Sequence, residues 1–71
     1  MGMKELSFTV FLIHQLAESW NKTPAAVYEI LEETGILNNY IVPCYDTLHT
    51  MGSQYLVNDI TSFAVEKGVV L

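Results

Sequence analysis

Seventy-one residues, 51% of them apolar, with one cysteine and a net charge of −5, form a single small domain spanning residues 1–71. Three lysines and no arginine against eight acids exclude the basic footprint that nucleic-acid binding requires, and disfavour an anionic membrane surface. The lone Cys44 excludes an internal disulfide and a Cys-rich zinc module, and fits a reducing, cytoplasmic setting.

No run of about 18 apolar residues occurs, so no membrane-spanning helix is expected. Met1-Gly2-Met3-Lys4 leads into Glu5 without a signal-peptide pattern. A chain this short hides only about 60% of the surface its unfolded form exposes. With so many apolar residues, part of that surface is expected to be shared with a second chain, most simply as a homodimer.

Apolar spacing of three and four residues predicts a first helix over residues 5–20. Leu6, Val10, Ile13, Ala17 and Trp20 form one row, with Phe8, Leu12 and Leu16 in a second beside it. Together they make a stripe wide enough for two neighbouring helices. Phe11 falls on the other side, with Lys4, His14 and Glu18, and is a candidate interface residue. A solitary exposed Phe is a reading of equal weight.

Thr23 as N-cap, Pro24 at the first helical position and Gly35 past the end delimit a second helix. Its buried face is expected to carry Val27, Ile30, Leu31 and Thr34. Glu29, Glu32 and Glu33 gather on the opposite side, two of them in the last turn, where the helix macrodipole disfavours anions. They are either a solvated face or a docking face for a basic partner.

Between Ile36 and Val42 the chain is expected to turn, with Asn38-Asn39 as turn residues. A short third helix then starts near Pro43 and closes at Gly52, with Cys44, Leu48 and Met51 inward. Ser53 is the expected cap of a last helix that turns Tyr55, Leu56, Ile60, Phe63 and Ala64 inward and ends near Gly68. The apolar tail Val69-Val70-Leu71 packs back or extends onto a neighbour. The fold class is all-α, a bundle of three to four short helices.

Polar chemistry concentrates around the junction of the last two helices, in Tyr45, Asp46, His49, Thr50, Gly52, Tyr55 and Asp59. Asp46 and His49, three apart, share a helix face, as a carboxylate–imidazole acid–base pair would. The pair has no evident nucleophile, since Thr50 and Ser53 read better as caps. The structural reading has Asp46 or His49 bonding the backbone at the Gly52 turn. Tyr55 and Asp59 are four apart and suit a partly exposed hydrogen bond. Cys44, Asp46, His49 and His14 fit no compact metal-ligand spacing. No catalytic, cofactor or metal site is expected, and the protein is not expected to be an enzyme. A small-ligand or enzymatic domain built on Tyr45, Asp46, His49 and Tyr55 is the alternative.

The run Tyr40-Ile41, Cys44-Tyr45-Asp46, Leu48-His49-Thr50, Gly52, Tyr55 and Asp59-Ile60 resembles a family of short bacterial proteins, the domain of unknown function DUF3791. The resemblance covers most of the second half of the chain. The first half is similar in order only: an apolar helix, then a helix ending in Gly-Ile. The resemblance implies a small cytoplasmic helical protein of Gram-positive gut and oral bacteria. It further implies a gene beside one for an ADP-ribosyltransferase-like protein, in the manner of a toxin–antitoxin or accessory pair. No activity attaches to the family, so no catalytic residue carries over. A protein-binding role, with a protein partner or a second copy, is the reading it favours.

Overall fold

Local chemistry sets where each helix begins and ends. The computed structural model describes residues 2–71. In chain order they form α1 (Met3–Trp20), α2 (Pro24–Glu33), a π-helical turn (Leu37–Ile41), α3 (Tyr45–Leu48) and α4 (Ser53–Glu66), with no strand among the described residues. The all-α class predicted from the apolar spacing is the class observed.

α1 stops at Asn21, whose left-handed backbone (φ 54°, ψ 47°) turns the chain while its N–H and that of Lys22 reach the Ala17 carbonyl. Asn tolerates this conformation better than most residues. At the start of α2 the Thr23 hydroxyl accepts from the Ala26 N–H at 3.2 Å, and Pro24 occupies the first helical position, as predicted. Gly35 follows the end of α2 with φ +80°, a region that would strain a side chain.

The link over residues 21–23 is short enough to send α2 back along α1, and α1 packs against both α2 and α4. Leu12 and Leu16 of α1 are fully buried between Val27 and Leu31 on one side and Leu56 and Ile60 on the other. The radius of gyration is 11.0 Å, matching the roughly 11 Å of a compact chain this long. At the far end of α1 the Trp20 indole N–H donates to Thr61 Oγ1 at 2.9 Å. Thr61 in turn donates to the Val57 carbonyl at 2.6 Å, so the half-buried hydroxyl spends its proton on its own helix. Thr9 and Thr34 do likewise, donating to the Glu5 and Ile30 carbonyls. Among the described residues no buried side-chain nitrogen or oxygen lacks a partner.

Four expectations are corrected. Leu6 and Val10 are 48% and 44% exposed rather than core, because α2, about 15 Å long, cannot cover the full ~27 Å of α1. The segment from Ile36 to Val42 is helical, not an open turn. The Val42 N–H reaches the Leu37 carbonyl at 3.0 Å, one residue wider than an α-helical bond. That widening relieves the clash between the Pro43 ring and the preceding turn, so Val42 keeps helical angles ahead of a proline. Gly52, not Ser53, is the N-cap of α4 and offers no side-chain acceptor. Finally, Met51 and Tyr55 are exposed, since α3 is a single turn and α4 begins with its outer side.

Leu16→Ala is expected to lower the unfolding free energy by about 3 kcal/mol, a large part of the roughly 4–10 kcal/mol that a chain of this length commands. Phe11→Ala, on the outward side of the same helix, should change it by no more than about 0.5 kcal/mol. Urea denaturation followed by circular dichroism separates the two.

Candidate functional site

Two aromatic chains organise the polar residues of the second half. In the first, Tyr45 stands edge-on to Phe8 of α1, with ring centroids 5.5 Å apart and planes at 77°. His49, one turn later, lies flat on Tyr45 at 4.5 Å and 8°. The His49 Nδ1 sits 2.8 Å from the Tyr45 carbonyl, so Nδ1 carries the proton and donates it there. A single turn of helix is thus fixed to α1 by one ring and stiffened by another.

In the second chain, the Tyr40 hydroxyl donates to Asp59 Oδ2 of α4 at 2.5 Å, and the Tyr40 ring leans on Phe63 at 5.4 Å. Lys67 Nζ lies 5.3 Å from the Phe63 centroid, in reach of the ring's negative face. The hydrogen bond to Asp59, then burial, then the Asp59 charge push the Tyr40 phenol up to about 12. Glu32, as acceptor and then as charge, likewise raises Tyr28 above its ordinary value.

The predicted cluster therefore divides. Tyr45 and His49 come together, but His49 bonds the Tyr45 carbonyl and not the Gly52 turn. Asp46 and Tyr55 are exposed, and Asp59 pairs with Tyr40 rather than with the Tyr55 four residues away. Thr50 donates to the Thr47 carbonyl at 2.7 Å, closing the end of α3. Gly52 has an ordinary extended backbone (φ −66°) and open space where a Cβ would stand, so nothing steric demands glycine there. Among the described residues no three of His, Cys, Asp and Glu converge as a cation site would require.

The candidate interface residues lie as the spacing predicts, with Phe11, Glu29, Glu32 and Glu33 all exposed. Tyr45 also lines an open groove of about 480 Å³, completed by Met3, Lys4, Ser7, Phe8 and Phe11 of α1. Asp46, His49 and Tyr55 take no part in it. Pairing Asp59 with Tyr40 escaped sequence reasoning. Asp59 beside Leu56, Ile60 and Phe63 signals a carboxylate near an apolar face that needs a donor, but four tyrosines compete for the part.

Because the folded phenol titrates about two pH units above the ordinary value of 10.0, the folded state holds the Tyr40 proton where the unfolded chain has lost it. Stability from this bond is full below pH 10 and falls as the pH rises from 10 towards 12. Tyr40→Phe should cost about 1 kcal/mol at neutral pH and remove the latest step from the phenolate absorbance titration.

Among the described residues no helix is long and apolar enough to cross a membrane. No curated protein and no solved structure gives a significant match to the chain. Residues 7–67 match the family model described as Protein of unknown function (DUF3791). Spanning nearly the whole sequence, and with the Tyr40-to-Ile60 pattern inside it, that match shows that the chain belongs to the DUF3791 family.

Proposed function

We propose that this chain is a small protein-interaction module that binds through the outward face of α1, and that it performs no catalysis of its own. One observation carries the reading: the first half of α1 turns apolar side chains to solvent. Met3 is 78% exposed, Leu6 48%, Val10 44% and Phe11 47%. The total surface, 4388 Å², is close to the roughly 4,400 Å² of any folded monomer of this mass. The amount of surface is thus ordinary, and the feature of note is the gathering of apolar groups along the exposed first half of α1, Met3, Leu6 and Val10 on one flank and Phe11 on the outermost side. Such gathering marks contact surfaces more often than scattered exposure does.

The acidic balance points towards protein rather than nucleic acid or anionic lipid as the bound species. The free Cys44 suits a cytoplasmic setting. The resemblance drawn above makes an ADP-ribosyltransferase-like protein encoded beside the gene the hetero-partner of choice, held as an antitoxin or accessory subunit holds its enzyme. A second copy of the chain is the homotypic counterpart.

Phe11→Glu tests the surface. The wild-type chain is expected to elute above the size of an 8.0 kDa monomer, alone or co-expressed with the neighbouring ADP-ribosyltransferase-like protein, and the variant as the monomer with unchanged helicity. A wild-type chain that stays solitary at high concentration in both settings would sink the proposal.

A further inference from the structure

We infer that the outward face of α1 is self-complementary, and that two copies pair through it with their α1 helices antiparallel. The inference rests on the interaction-module reading and names its partner as a second copy of this chain. Lys4, Phe11 and Glu18 are spaced seven apart and lie along one exposed line of α1, with Ser7 and His14 beside it. Phe11 is at the midpoint, and each charge is about 10.5 Å from it along the axis.

A two-fold axis crossing α1 beside Phe11 therefore sets Lys4 of each copy against Glu18 of the other. The centre of the contact is apolar, Val10 and Phe11 meeting their counterparts, and an ion pair closes each end. His14 donates from Nδ1 to the Val10 carbonyl at 2.8 Å, which leaves its Nε2 edge for the second copy. Within one chain Lys4 and Glu18 are about 21 Å apart along α1 and cannot reach each other.

Charge selects this arrangement over its rivals. A parallel pair would stack Lys4 on Lys4 and Glu18 on Glu18. Pairing through α2 would press Glu29, Glu32 and Glu33 of each copy together in molecules that already carry −5 each. α2 packs against the buried residues of α1 and not against its exposed Lys4–Phe11–Glu18 line, so pairing through that line does not require the glutamates of α2 to meet. One helix contact of this length falls at the small end of specific interfaces, the range of weak, reversible association.

Charge-swap variants measured by sedimentation equilibrium at low ionic strength decide the matter. Lys4→Glu or Glu18→Lys alone turns two attractions into two repulsions and should raise the dimer dissociation constant about tenfold or more. The double variant restores opposite charges and should return the constant to near the wild-type value. Either swap puts the favoured sign of charge at its end of α1, so unfolding does not explain a loss of dimer, and circular dichroism verifies that. Charge swaps without effect, while Phe11→Glu still dissociates the pair, overturn the antiparallel register and leave the interaction module standing. A wild-type chain that is monomeric alone but binds the co-expressed neighbour likewise overturns self-pairing only. A dimer indifferent to Phe11→Glu overturns both.

Discussion

Everything in this fold depends on α1 serving two neighbours at once. Leu12 and Leu16 are sealed because α2 closes one flank and α4 the other. With few residues to bury, the described residues form one core cluster, and no second one among them compensates if either contact fails. The short segments between α2 and α4 are subordinate: Ile36, Leu37, Ile41 and Leu48 reach the same core, and their backbone bends as Pro43 requires. Polar groups drawn into this arrangement are satisfied locally, threonines by their own helices and Trp20 by a hydroxyl across the seam.

The two aromatic chains extend that logic to the second half. One turn of helix, Tyr45–Leu48, has too few residues to persist alone. It is retained because Leu48 enters the core and Tyr45 meets Phe8. The Tyr40–Asp59 bond then joins the π-helical turn to α4. Tyr45, Thr50 and Asp59, which look like chemistry when written in a line, each make a contact that ties one part of the small bundle to another or closes a helix end. Joinery does not account for the exposed apolar residues of α1, since burial supplies no reason for Met3, Leu6, Val10 and Phe11.

Much of this architecture was legible in the residues. Period and punctuation located the long helices, and Thr23, Pro24 and Gly35 did what local chemistry asks of them. Leu6 and Val10 were misplaced because periodicity marks a face without telling how far along it a neighbour extends. The π-helical turn was missed because a proline argues for a break, and only tertiary packing shows that a wider turn accommodates it. For the candidate site, proximity in sequence suggested Asp46 with His49 and Tyr55 with Asp59. The observed Asp59 partner is nineteen residues away, a distance at which spacing carries no information. The exposure of Phe11, by contrast, followed from helical geometry alone.

The indole at the seam of α1 and α4 has one more consequence. Trp20 is the sole tryptophan of the chain, only 8% exposed, with its nitrogen bonded to a residue 41 positions away. Its fluorescence therefore originates from a single place, and parting the two helices must hydrate the ring and shift its emission to longer wavelength. The molecule carries its own optical gauge of whether its main wall is closed.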